Sequence, residues 1–415
     1  MPDSATLTAA PAPSAFAAFR SRDFRLLQLA AFASIIGMQM QSVAVGWQLY
    51  ELTGKPLDLG YVGAALFLPA LLFSPLTGHT ADRFERRHLL AVCHSVLGCA
   101  SLLLYGLAQR PEPSLALLYT VLVLVGTARA FLGPAAQAII PNLVPLEILP
   151  NALAWSSTTW QVSIVAGPAL GGVLYAQAGA SGVYLSGAVL EVFTVATLLN
   201  LRTRTTRAAY GGGFRDQFAA GLSFVWKRPV ILGAISLDLF AVLFGGAVAL
   251  LPVYARDILH IGPRGLGLLR SAPALGAVVV ALALAYRPVV RRAGVMMFAC
   301  VLVFGLATIA FGLSRHFLVS LAALAITGAA DMVSVFIRHN LVQLRTPDSM
   351  RGRVAAVNMI FIGASNELGE FESGALAQWL GSVPAVVIGG IGTCVVVLLW
   401  ALWFPALRRV DRLDA

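Results

Sequence analysis

Apolar stretches long enough to span a bilayer recur along this chain from about residue 24 to about residue 407. That recurrence admits one class of fold. In hydrocarbon every backbone N–H and C=O must find its partner within the protein, so repeated apolar runs of about 20 residues fold as a bundle of transmembrane α-helices. A charged fraction of only 12% and a mean hydropathy of +0.82 lie far from a soluble composition. The net charge of +10 does not mark a nucleic-acid partner. About 22 of the 29 Lys and Arg fall on one side of the predicted membrane and about six on the other, which is the bias that orients a membrane protein.

The runs divide into twelve predicted spans, at about 24–50, 59–79, 88–108, 114–136, 152–177, 182–201, 229–253, 265–286, 293–313, 317–338, 353–380 and 384–407. The fold class is therefore an all-α membrane protein of twelve transmembrane helices. Residues 1–19 are Ala- and Pro-rich and read as a disordered cytoplasmic tail. Residues 20–201 form an N-terminal six-helix bundle, 202–228 a cytoplasmic linker, 229–407 a C-terminal six-helix bundle, and 408–415 a second cytoplasmic tail. The linker contains an amphipathic piece, Phe214 to Trp226, expected to lie on the membrane surface with its aromatic face down. Both termini are expected in the cytoplasm. An offset of about 200 residues relates the halves: Arg129 aligns with Asp331, the segment after Pro145 with the segment after Thr346, and Arg83–Arg87 with Arg287–Arg292. Duplicated halves enclosing a site are the usual construction of secondary transporters.

Several polar groups stand where hydrocarbon is expected. Arg129 sits roughly 12 Å from the inner end of span 4, too deep to snorkel. A charge there costs roughly 2.5–3.5 kcal/mol by insertion scales, so it needs a partner or a wet cavity. Asp331, its repeat mate at the same depth, is expected to pair with it. Asp238 lies near mid-membrane on span 7. On span 11, Glu367 and Glu370 share one face with Gly363 and Gly374 by three-and-four spacing, while Glu372 points elsewhere. Two carboxylates one turn apart repel when both ionise, so the pair is suited to hold a single proton. A structural ion pair is the plainer alternative for Arg129, and a capped or permanently neutral acid for Asp238. Gln39, Gln48, Trp155, Trp160 and Phe240 offer the amide and aromatic groups that an amphipathic cargo needs. Glu191, on span 6, has no role on this reading.

Between spans 2 and 3, Gly78-His79-Thr80-Ala81-Asp82-Arg83-Phe84-Glu85-Arg86-Arg87 sets an acid beside three arginines where a helix ends. The glycine allows close helix approach, and the carboxylate of Asp82 is placed to face the positive N-terminus of span 11, near Arg351 and Arg353. The stretch resembles the Gly-x-x-x-Asp-Arg-x-Gly-Arg-Arg loop of the major facilitator superfamily, with Glu85 in place of glycine. Arg129 resembles the arginine of that superfamily's fourth-helix pattern, Arg-x-x-Gln-Gly, with Leu132 in place of glutamine. Gly167, Pro168, Gly171 and Gly172 resemble the Gly-Pro-x-x-Gly-Gly element of its exporters, physically a proline kink with glycines for tight packing. Asp82–Arg87, Pro113-Ser114-Leu115 and Met350–Val354 resemble the branch that contains the enterobactin exporter.

The resemblance covers about residues 20–410. It implies a monomer in the bacterial inner membrane that exports a small molecule, such as a siderophore, by proton antiport and alternating access. It links Arg129 to proton movement; the depth of Asp238, Asp331, Glu367 and Glu370 in apolar helices leads us to expect that they carry proton coupling with it, and the charge pattern of the Gly78–Arg87 stretch that it acts as a conformational motif. An importer or facilitator on the same fold is the alternative. The partners expected are protons, a small-molecule substrate and the lipid bilayer. No nucleotide-binding glycine loop, metal cluster or nucleophile–base arrangement appears, so an enzyme, a cofactor and a metal are not expected. Cys93, Cys99, Cys300 and Cys394 sit inside apolar runs without disulfide or metal spacing.

Overall fold

The computed structural model describes residues 14–203, 214–287 and 291–412. The helices are α1 Arg22–Thr53, α2 Pro56–Arg83, α3 Arg86–Ala108, α4 Leu115–Ile139, α5 Leu149–Leu199, α6 Phe214–Trp226, α7 Pro229–Phe244, α8 Gly262–Tyr286, α9 Ala293–Leu313, α10 Phe317–Arg345, α11 Asp348–Leu380 and α12 Ser382–Trp403. Short helical turns from Ala247 to Ile258 extend α7. Local chemistry starts and stops these helices. The Ser21 and Ser114 side chains accept the backbone N–H of Phe24 and Leu117 at the first turns of α1 and α4. Prolines stand at the first turns of α2, α7 and α8.

Among the described residues, ten segments are long and apolar enough to cross a membrane. Two features bring the passes to the expected twelve. At 51 residues α5 would be about 76 Å long, more than twice the hydrocarbon thickness. It breaks at Gly179, whose φ of 64° and ψ of −169° are closed to residues with a side chain. The chain reverses there. Gly167 on the first arm packs beside Gln39, and Gly187 on the second beside Gln41, so both arms meet α1 at one level. The twelfth pass is α11, whose acids keep it out of the apolar set. Leu72, Val192, Leu318, Leu402 and Trp403 are more than 60% exposed. Such a belt has no place on a soluble protein and faces lipid.

The helices pack as two groups, α1–α5 and α7–α12, joined mainly by α5 on α8 and α2 on α11. These two seams are equivalent under the repeat, because span 2 corresponds to span 8 and span 5 to span 11. Each is a glycine contact. A Cβ on Gly172 would lie 2.5 Å from the Pro263 carbonyl oxygen and 3.0 Å from Gly267 Cα. A Cβ on Gly374 would lie 3.0 Å from Gly60 N and 3.0 Å from the Pro56 oxygen. Both seams lie toward the end of the molecule away from the linker. At that end the Tyr50 hydroxyl donates to Asp257 across the halves, and Arg256 donates to the Tyr50 carbonyl at 3.0 Å.

The exporter-like element of α5 thus has two duties. Gly167 and Gly171 seat the first arm on α1, and Gly172 seats it on the other half. Gly172→Val is expected to open the α5–α8 seam, because a backbone oxygen cannot retreat as a side-chain tip can. Spin labels near the linker-distal ends of α5 and α8 should report a longer mean distance than in the unsubstituted protein. An unchanged distance distribution would contradict this account of the seam.

Two expectations change. Of the tail read as disordered, residues 14–19 are folded: Asn151 and Trp155 side chains donate to the Ala15 oxygen, and Ala17 and Ala18 are buried. Residues 1–13 lie outside the described ones, as do 204–213 of the linker and 413–415 of the second tail. The amphipathic α6 does not rest on a membrane surface alone. It packs on α7 and α11 through Phe218, Leu222 and Val225, with Gly221 set against the Arg353 backbone. An apolar helix face finds a drier partner in two neighbouring helices than in the headgroup region.

Candidate functional site

At the junction of the halves lies a cavity of about 150 Å³, room for several waters. Four charged side chains line it: Arg129 from α4, Arg270 from α8, and Glu367 and Glu370 from α11. Gln39, Gln41 and Ser42 of α1 complete its polar wall. The helical spacing that puts Glu367 and Glu370 on one face brings both carboxylates to one spot on α2. A Cβ on Gly63 would lie 3.1 Å from an oxygen of each. Arg129 feels the charge of Glu367, and Arg270 that of both acids. Among the described residues no ion pair within 4 Å joins these four groups, so they act on one another across the cavity. Fully ionised, the set is balanced at two positive and two negative charges. One added proton leaves it at +1.

A second charged cluster lies within the C-terminal group. Arg338 of α10 pairs with Asp238 of α7 at 2.8 Å and reaches Asn358 of α11 at 3.2 Å. Both ion-pair partners are buried. Asp331 lines the same small cavity as Asp238 and feels the charges of Asp238 and Arg338. Asp331 also lines a cavity of about 190 Å³ together with Asn366 and Glu370. Cavities that share lining residues therefore run from the central site through Glu370 and Asp331 to Asp238.

The expected pair of Arg129 with Asp331 is not formed. Equivalent positions of two repeats share a depth but not an azimuth. Asp331 feels the guanidinium two turns along its own helix, and Arg129 lies at the junction of the halves, between the central cavity and that of the N-terminal group. Arg270 and Arg338 were missed because a count by side of the membrane absorbs them as orientation charge. The signal for Arg338 was its spacing of seven residues from Asp331, which places both on one helix face.

Of the residues proposed for cargo, Gln39 lines the central cavity and, with Trp160, a larger apolar one. That cavity of about 440 Å³ lies inside the N-terminal group, between α1, α3, α4 and α5, and Arg129 closes one wall. Three other candidates are placed elsewhere. Gln48 accepts from the buried Tyr184 hydroxyl at 2.7 Å. Trp155 stacks on Phe16 at 5.2 Å and meets Phe19 edge-on at 4.9 Å. Phe240 packs on Trp400 at 5.1 Å. Each is a ring or amide that a neighbouring helix or the folded tail segment has already covered.

In the loop motif, Arg86 is buried and ties α3 to the end of α4 through Ala138 O at 2.7 Å and Asn142 Oδ1 at 2.9 Å. Arg87 donates to the Leu201 carbonyl and lies 3.7 Å from Glu85. Glu85, the departure from glycine, also holds His88 at 3.0 Å. Gly78, Asp82 and Arg83 are helical in α2 but lie outside the described side chains. Arg351, expected beside Asp82, pairs with Asp348 on its own helix at 2.8 Å.

A family model described as transmembrane secretion effector matches residues 13–415. The enterobactin exporter EntS of Citrobacter koseri is 28% identical over 390 residues, covering 93% of this chain and 92% of that protein. The EntS protein of Shigella boydii is 27% identical with the same coverage. Among solved structures, a bacterial homolog of the human lysosomal transporter Spinster, inward-facing and occupied, superposes with a TM-score of 0.73 at 15% identity, over 94% of this chain and 97% of that one. A bacterial homologue of the iron transporter ferroportin, also inward-facing, gives 0.68 at 17% identity, over 94% and 99%.

Proposed function

The chain belongs to the transmembrane secretion effector family, and from that premise we propose that it exports a small molecule across the bacterial inner membrane in exchange for protons, by alternating access. It is a multi-pass transporter with the major facilitator fold. The observation that carries the proton-driven reading is the central cavity, where two acids of one half and an arginine of each half share one space. A carboxylate in such a place ionises only when wetted or paired. Opening the cavity to one side admits water and favours proton release, and closing it favours the neutral acid. Charge thereby follows conformation.

With the termini in the cytoplasm, the glycine seams lie on the periplasmic side and the arrangement is inward-facing. The loop motif would then act as a latch in the opposite state, when the linker-side ends of α2 and α11 approach and Asp82 meets the N-terminus of α11. The cargo would bind at Gln39 and Trp160, where an amide and a half-exposed aromatic ring border an apolar cavity. The relatives' cargo, enterobactin, makes a siderophore the first candidate.

The decisive experiment uses everted vesicles energised to make their interior acidic. Enterobactin should accumulate inside, and a protonophore should abolish that accumulation. Accumulation that survives the protonophore would remove the proton-coupled reading, and concentrative uptake confined to right-side-out vesicles would reverse the direction.

A further inference from the structure

One buried ionisable group plays no part in the central site. Glu191, on the second arm of α5, is 2% exposed and sits among three helices. Its Oε1 accepts from the Ser34 hydroxyl of α1 at 3.0 Å, and its Oε2 lies 2.8 Å from Nδ1 of His94 on α3. Ser34 Oγ is 3.3 Å from the same ring nitrogen. The carboxylate thus holds the ring with Nδ1 as donor, which leaves Nε2 as the nitrogen with a free lone pair. Ser34 and His94 also line the apolar cavity of about 440 Å³. Nothing among the described residues bonds Nε2, so the ring borders that cavity with its basic nitrogen uncommitted.

We infer that His94 and Glu191 form a second proton-binding site, loaded at His94 Nε2 from the cavity of the N-terminal half. The proton adds to the Nε2 lone pair. The ring then donates from both nitrogens, and the dyad passes from a net charge of −1 to zero. Ser34 faces it from α1, and Arg129, which feels the charge of Glu191, faces it from α4. Arg129 also feels Glu367 and Arg270 of the other half. Arg129 therefore stands between two acidic sites. While the dyad is empty, Glu191 draws the guanidinium toward the N-terminal half. Loading the dyad cancels that pull and leaves Glu367, already the stronger of the two acids at Arg129, without a competitor. A proton bound inside one half is thus felt at the junction of both.

The inference adds to the proton-coupled reading of the central site, yet its test does not require that reading to hold. Purified full-length protein in lipid nanodiscs, with no gradient and no cargo, is taken from about pH 8 to about pH 5. The protons bound per chain are counted. His94→Gln and Glu191→Gln should each bind about one fewer than the wild-type protein, the second because His94 loses its counter-charge and is left facing Arg129 alone. Wild-type counts in both variants would mean a fixed structural pair and would overturn the inference. Glu191→Gln keeps the shape and size of the side chain, so it decides the matter if His94→Gln does not fold. Loss of a proton here together with protonophore-resistant transport in vesicles would keep the site and discard the antiport reading.

Discussion

Glu367→Gln and Glu370→Gln should each abolish uphill transport while leaving cargo binding and downhill exchange nearly intact. Both carboxylates converge on Gly63 from one face of α11, opposite two arginines. Glutamine keeps the volume and much of the hydrogen bonding but cannot carry a proton between states. With one acid gone the ionised cavity already carries +1, a proton on the remaining acid would raise it to +2, and that uncompensated charge keeps the acid ionised in both conformations, so conformation no longer follows protonation. One proton moving down a 100 mV potential supplies roughly 2.3 kcal/mol, which sustains about a 50-fold cargo gradient, and that factor is what the substitution forfeits. The measurement is steady-state accumulation in energised vesicles beside counterflow without a gradient. Retained accumulation in both variants would move proton coupling to the Asp238–Asp331 cluster.

Arg338→Met is the substitution expected to cost most in stability. Its guanidinium is the ion-pair partner of Asp238 at 2.8 Å, and both side chains are less than 10% exposed. Removing one member of a buried pair leaves the other charge uncompensated, at about 3–5 kcal/mol. Asp331 beside it loses the same positive neighbour. The double variant Arg338→Met with Asp238→Leu removes both charges and should recover most of the loss, since a packed apolar pair of similar volume is often as stable as the ion pair it replaces. Thermal unfolding in detergent compares the three proteins. A single variant as stable as the wild type would show that Asp238 is carried neutral and has no need of the arginine.

The sequence made the fold legible because its strongest signal, apolar run length, is set by the bilayer rather than by tertiary detail. It did not signal the way span 5 joins span 6, where Gly179 replaces an ordinary loop. At the candidate site, the shared face of Glu367 and Glu370 was readable because it lies within one helix. Which arginines they face was not readable. Arg129 and Arg270 belong to different helices of different halves, and no local pattern encodes an azimuth across a cavity. The same limit explains Trp155. Its aromatic character was plain, but the segment that covers it lies about 140 residues earlier, in a stretch whose composition speaks for disorder. Glu191 drew no role for a related reason, since its two partners come from α1 and α3.

The reversal at Gly179 has a mechanical consequence. A flexible loop between two membrane-crossing rods lets one slide while the other stays still. Here there is no slack: a single glycine joins the arms, and both are clamped to α1 at one level. Gly172 lies about 10 Å before that corner and Glu191 about 18 Å after it, so the pair of arms is a stiff bracket with the seam near its elbow and the dyad on its far limb. When α8 leaves Gly172, the bracket must turn as one piece. The displacement then reaches the carboxylate of Glu191, which is held by Ser34 and His94 on two other helices, and the hydrogen bonds there are the joint that has to stretch.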